Sequence, residues 1–157
     1  MIDEVGIPVP KNVIQTLAKN CFITEVRYKI GQFIVVNKLG VPEHLRRLLK
    51  VFFYFGPYCP YSRAQMEEII EDMDKLKNIR LYLLTNAPYN QMMDFYNYYN
   101  LKKYSNITVA RDYTGFFLKY FEVEGVPYLA VYGKDKRLKT AFKGEVYGKQ
   151  IKRSAES

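Results

Sequence analysis

Apolar positions along this chain recur in two rhythms, one of period two and one near 3.6, and their succession predicts its elements. Phe22-Ile23-Thr24-Glu25-Val26-Arg27-Tyr28 alternates, as a half-exposed strand does, and Gln32-Phe33-Ile34-Val35-Val36 pairs with it across a turn at Gly31. Beyond Gly40, residues 42–49 predict a short helix with Pro42 in its first turn. Val51-Phe52-Phe53-Tyr54-Phe55 is apolar without interruption, which marks a strand covered on both faces, and Gly56-Pro57 stops it. The clearest helix comes next: Met66, Ile69, Ile70, Met73 and Leu76 share one face, with Glu67, Glu68, Glu71, Asp72 and Asp74 opposite. A second buried strand is expected over 79–84, a helix over 89–101, a short strand over 107–110 and a short aromatic helix over 114–121. Residues 128–132 and 138–142 predict two strands around the turn Gly133-Lys134-Asp135-Lys136.

Strand, helix, strand, helix and a closing hairpin predict an α/β domain with a mixed central sheet and helices on both faces. At 157 residues a single domain over 1–157 is expected, and no repeat, linker or low-complexity segment divides it. The 15 Tyr and 10 Phe, without any Trp, predict an aromatic-rich core. Met92, Met93, Phe95, Tyr96, Tyr98 and Tyr99 crowd the 89–101 helix, and packing against the sheet explains such a stripe better than a binding groove does. No apolar run nears the ~20 residues of a membrane span. The opening residues lack the basic head and apolar stretch of a secretory signal. The chain as it stands is therefore expected in the cytoplasm, or in the cell envelope if an export signal was trimmed.

A net charge of +8 would suit nucleic acid, acidic lipid or an acidic protein. The basic residues are scattered, however, from Arg46, Arg47 and Lys50 to Lys149, Lys152 and Arg153, with no RNA-binding or helix-turn-helix signature beside them. No nucleic-acid partner is expected. Two cysteines are too few for a disulfide scaffold or an iron–sulfur site, and the one histidine, His44, leaves neither a metal set nor a Cys–His hydrolase. His44 reads as a solvated side chain. Asn106-Ile107-Thr108 matches a glycosylation acceptor, a pattern short enough to arise by chance.

Cys59 is the residue with chemistry to offer. It follows a buried strand and a Gly-Pro break and opens the clearest helix, where unpaired backbone N–H groups and the helix dipole favour a thiolate over a thiol. Arg63, one turn on, could add a cation on the same face, and Pro60 supplies a first-turn residue with no N–H to waste. A free thiol is often simply a buried structural residue, but this placement favours a reactive one. Cys21 lies far upstream, and pairing it with Cys59 needs Cα atoms within ~7 Å, which spacing does not fix. Cys21 reads as packed apolar surface.

The run Phe53-Tyr54-Phe55-Gly56-Pro57-Tyr58-Cys59-Pro60-Tyr61-Ser62 resembles the active-site strand and loop of the thioredoxin-like superfamily. Gly125-Val126-Pro127-Tyr128-Leu129-Ala130-Val131-Tyr132 is similar to that superfamily's cis-proline loop and the strand after it. Asp112-Tyr113-Thr114-Gly115 and Tyr120-Phe121-Glu122-Val123 resemble the approach to that loop in the AhpC/TSA-type and cytochrome-c-maturation-type members. The resemblance covers residues 50–148, with 1–49 as an N-terminal hairpin and short helix. It implies a three-layer thioredoxin-like fold with an N-terminal β-hairpin extension. The long step from Cys59 to Pro127 leaves room for an inserted helix and strand.

The departures from the pattern shape the expected activity. Ser62 stands where the second cysteine would be, so no disulfide can form within the motif. Phe53 stands where thioredoxins carry a buried acid, and Phe52 and Gly56 replace the proline and threonine of a peroxiredoxin motif. A peroxidase is therefore not expected. What the resemblance implies is a monothiol thiol–disulfide oxidoreductase: Cys59 attacks a disulfide of a protein, peptide or small thiol, and a thiol from outside resolves the product. Ser62 would donate a hydrogen bond to the Cys59 thiolate. Tyr58, Pro60, Tyr61, Arg63, Val126 and Pro127 would line the substrate groove. No cofactor is expected beyond glutathione as that external thiol, because Cys-Pro-Tyr-Ser also resembles a glutaredoxin motif without its resolving cysteine. The alternative is a redox-inactive module that holds a peptide or protein in the same groove.

Overall fold

The computed structural model describes residues 27–30, 33–36, 49–113, 115–133 and 137–157. Cys21, His44, residues 22–26, the 42–48 part of the expected helix, Thr114 and the turn residues 134–136 lie outside them. The uninterrupted apolar run becomes the centre of the sheet. It forms β3, Leu49–Tyr54, flanked by the parallel strand β4, Ile79–Thr85, and by the antiparallel strand β6, Tyr128–Tyr132. On the β4 side follows β5, Ile107–Asp112, and on the β6 side β7, Leu138–Lys143. The hairpin of β1, Arg27–Ile30, and β2, Phe33–Val36, adds antiparallel to β5. The order is thus β1-β2-β5-β4-β3-β6-β7.

Period-two alternation sends each strand's side chains to opposite faces. Val51, Phe53, Leu81, Leu83, Val109, Leu129 and Val131 face one layer of helices. Those helices are α1, Pro60–Glu71; α2, Met73–Leu76; α3, Tyr89–Tyr98; and α5, Gly148–Glu156. Phe52, Tyr54, Tyr82, Leu84, Tyr128 and Tyr132 face the other way, onto Phe117 of the short helix α4, Phe116–Tyr120. Three layers result, as expected. Between β4 and β6 stand α3, β5 and α4, which accounts for the long step from Cys59 to Pro127.

Several boundaries differ from expectation, each for a local reason. Leu49, expected at the end of a helix, begins β3 and pairs in register with Ile79. The long amphipathic helix breaks at Asp72 (φ −92°, ψ 14°), beside which the start of α5 is packed. A Cβ added to Gly148 would come within 2.5 Å of the Asp72 side chain, so only glycine lets the two segments touch. The helix expected over 89–101 stops at Tyr98, because Asn100 adopts the left-handed conformation (φ 48°) that asparagine tolerates. A 3-10 turn over Leu101–Lys103 then buries Leu101. The helix expected over 114–121 shortens to α4, entered through Gly115 at φ 68°. The helix α5 was not expected, since only Ile151 and Ala155 mark its buried face.

Candidate functional site

The chain leaves β3 with Phe55 N–H still donating to Leu84 O at 2.9 Å, then turns sharply through 56–59. Cys59 N–H donates to Gly56 O at 3.1 Å, and Arg63 N–H donates to Cys59 O at 3.0 Å as the helix starts. Cys59 is the N-cap of α1, in extended conformation, and Pro60 is its first helical residue. Two side chains pin the turn from the helix. Ser62 Oγ accepts the Gly56 N–H at 3.0 Å, and Arg63 Nε donates to Pro57 O at 2.9 Å.

From across the sheet, the loop before β6 reaches the same point. The Val126–Pro127 peptide is cis, and Pro127 O accepts the Gly144 N–H at 2.9 Å. The free, half-buried thiol of Cys59 lies 3.9 Å from Val126 O and donates to it. Gly56 sits between the two segments: a Cβ there would lie 3.1 Å from Cys59 Cβ and 3.3 Å from Val126 Cγ2. The close approach of the loop to the sulfur therefore depends on a missing side chain.

Not every predicted site residue takes the role its position suggested. Cys59, Pro60, Val126 and Pro127 gather at the mouth of the turn, and Tyr58 (56% exposed) and Tyr61 (66%) flank it on the surface. Ser62, by contrast, is fully buried, and its hydrogen bond is with the Gly56 N–H, while the Cys59 sulfur bonds to Val126 O. Arg63 folds back along the turn. Its Cζ lies 5.9 Å from the Tyr58 ring centroid and 4.9 Å from that of Tyr98. The guanidinium is thus held between two aromatic faces and the Pro57 carbonyl.

The phenols around this surface hold their protons tightly. Tyr58 donates to Asp94, and that bond lifts its pKa above the ordinary tyrosine value. Tyr99 donates to Glu67 at 3.1 Å; burial first, and then this bond, push its pKa up to about 12. Both remain neutral hydroxyls through the whole physiological range.

Three supporting residues show no sign of their structural role in the sequence pattern. Gln65, fully buried on α1, makes a two-way amide pair with Val146: Nε2 donates to Val146 O at 2.9 Å and Oε1 accepts Val146 N–H at 2.7 Å. It ties the helix bearing Cys59 to the segment before α5. Asp112, also fully buried, accepts the N–H groups of Phe116 and Phe117 at 2.8 Å each and the Tyr54 hydroxyl at 3.1 Å. Asp94 would have been found only as the partner of Tyr58. Asn106 is buried, its amide donating to Leu76 O at 3.1 Å and Ile79 O at 3.0 Å, so the apparent glycosylation triplet is part of the core. No helix among the described residues is long and apolar enough to cross a membrane.

The sequence matches no protein-family model and no curated protein. Solved structures do resemble the fold. A thiol-disulfide isomerase from Corynebacterium glutamicum superposes with a TM-score of 0.59 at 16% identity, covering 88% of this chain and 99% of that one. A secreted Mycobacterium tuberculosis disulfide oxidoreductase homologous to Escherichia coli DsbE gives 0.57 at 18% identity, over 69% of this chain and 81% of its own. StoA from Bacillus subtilis gives 0.57 at 16% identity, over 69% and 83%. The chain has the thioredoxin-like fold.

Proposed function

We propose that this chain is a monothiol thiol–disulfide exchange protein. The observation that carries the reading is the placement of one half-buried free thiol at the N-cap of α1, beside the Val126 carbonyl, with the would-be second cysteine replaced by a buried serine. The Cys59 thiolate attacks one sulfur of a disulfide. A new S–S bond forms to Cys59, the old one breaks, and the other sulfur leaves as a thiolate with the bonding electrons. Ser62 cannot resolve the adduct, so a second, external thiolate attacks it and releases Cys59. Glutathione, or another small thiol, would serve. The names of the Corynebacterium and Mycobacterium proteins support a redox role in this fold. Pro60, Tyr58, Tyr61, Val126 and Pro127 form the groove around the reacting sulfur.

The test is intact-mass measurement after incubation with oxidised glutathione, using the chain with Cys21→Ser so that only Cys59 can react. A single glutathione adduct that persists until a thiol is added, and that is absent in Cys59→Ser, is the expected result. A second reading, a redox-inactive peptide-binding module, is favoured by Phe53 packing in the core where an acid would assist proton transfer. Absence of any adduct would make it the better one.

A further inference from the structure

On the helix that Cys59 caps, one turn on, stands a cation with unused donors. Arg63 commits Nε to Pro57 O and its flat faces to the Tyr58 and Tyr98 rings, but its terminal nitrogens have no hydrogen-bond partner among the described residues. No carboxylate of those residues lies within 4 Å of it. Asp94 on α3 and Glu67 on α1 are engaged otherwise: Asp94 accepts the Tyr58 hydroxyl and Glu67 the Tyr99 hydroxyl. Two rings and one carbonyl thus fix a half-buried guanidinium in place, with its outer edge bare. The immobilisation that a long side chain ordinarily loses on binding has already been spent.

A fixed guanidinium edge is the geometry that a carboxylate meets with two parallel hydrogen bonds. Pro57, the anchor of Arg63, is two residues before Cys59 in the same turn, so the guanidinium and the sulfur are carried by one short segment of chain. We infer that Arg63, held by Tyr58 and Tyr98, is a carboxylate-binding subsite that selects disulfides carrying a carboxylate near the exchanging sulfur. The carboxylate is that of a small acidic thiol or of an Asp or Glu beside a cysteine in a polypeptide. This rests on the exchange chemistry proposed above and adds a choice of partner to it.

The experiment compares exchange rates of the Cys21→Ser chain with 3,3′-dithiodipropionate and with neutral bis(2-hydroxyethyl) disulfide. A second pair of disulfide-linked peptides carries Asp or Asn next to the cysteine. The carboxylate member of a pair should react about tenfold faster, as a charge-assisted contact allows. That preference should fall towards one in Arg63→Gln, survive in part in Arg63→Lys, and weaken in Tyr98→Ala. Preference in the small pair alone identifies a small acidic thiol, and preference in the peptide pair identifies an acidic polypeptide. A ratio near one for both pairs in the otherwise native chain overturns the inference without needing any variant, as does a ratio that Arg63→Gln leaves intact. Failure of Cys59 to react with any of the four compounds overturns the exchange reading itself, a distinguishable result.

Discussion

The two faces of the sheet are built by different means. Under α1, α2, α3 and α5 the contacts are largely aliphatic and thioether, Val51, Leu81, Leu83, Val109, Leu129 and Val131 against Met66, Ile69, Met92 and Ile151, with one ring cluster of Phe53, Phe55 and Phe95. Burial of area holds that face, and area is indifferent to direction. The α4 face is a mosaic of rings: Tyr54 stacks on Phe117 at 5.1 Å, Phe52 on Tyr82 at 5.2 Å, and Tyr132 meets Phe52 edge-on at 5.5 Å. Aromatic pairs and their hydroxyls are directional, and here they close on one buried carboxylate. Each face supplies one half of the site. The aliphatic face presents Cys59 on α1, and the aromatic face leads through Phe121 and Val123 to Val126 and Pro127. The sulfur therefore meets its loop only if both construction modes succeed.

Asp112→Ala should break this arrangement hardest. Three donors, the Phe116 and Phe117 N–H groups and the Tyr54 hydroxyl, lose their acceptor, at about 1–3 kcal/mol each when buried. A loss on the order of 4 kcal/mol, read from urea unfolding, is expected, and Asp112→Asn should recover part of it. Gln65→Ala is the matching break on the other face, removing both bonds to Val146 at a cost of about 2–3 kcal/mol. It should also loosen α5 before the rest of the chain in hydrogen exchange.

Alkali sharpens the comparison. Tyr54 is raised far above the ordinary tyrosine value by burial and by Asp112, and Tyr99 to about 12 by burial and Glu67. Both hold their protons more tightly folded than unfolded. Their contribution is complete below pH 10 and is lost as the pH rises, across pH 10 to about 12 for Tyr99. Thermal unfolding followed over that range should show stability falling, with a flatter slope in Tyr54→Phe than in Tyr99→Phe because Tyr54 is the deeper. At neutral pH Tyr54→Phe should cost only about 1 kcal/mol. Leu83→Met, on the aliphatic face, should cost less than ~1.5 kcal/mol. Least in stability but clear in rate, Gly56→Ala should shift Cys59 and Val126 apart by a few tenths of an ångström. Exchange at Cys59 should slow several-fold with little change in the unfolding midpoint.

The central strands were legible because they are apolar on both faces, and Cys59 because it follows such a strand and opens a strongly periodic helix. Pro127 stood out through its resemblance to a known loop. What was illegible has a common cause: it depends on partners far along the chain. Gln65 looks like one more polar residue of an amphipathic helix until Val146 arrives opposite it. Asp112 looks like a strand's polar end, although its carboxylate begins the next helix. The contact of Asp72 with Gly148 joins segments far apart in the chain, and α5 itself shows only Ile151 and Ala155 as buried side chains beyond that glycine. Arg63 shares a helical face with Cys59 by spacing, yet two tyrosines, one of them on α3, decide where its charge rests.

The order of strands also bears on how copies of this chain behave together. Among the described residues the sheet ends in β1 on one side and β7 on the other. Unpaired strand edges are templates for pairing with another molecule, and proteins commonly blunt them with lysine. Here β1 carries Arg27 and Lys29, and β7 carries Lys139 and Lys143. A meeting of two β7 edges brings lysine against lysine. Part of the +8 charge thus works as a solubility device, keeping neighbouring molecules from zipping into a continuous sheet. Concentrated salt, by shortening the range of that repulsion to ~3 Å at 1 M, removes the protection and leaves the edges to their own hydrogen-bonding groups.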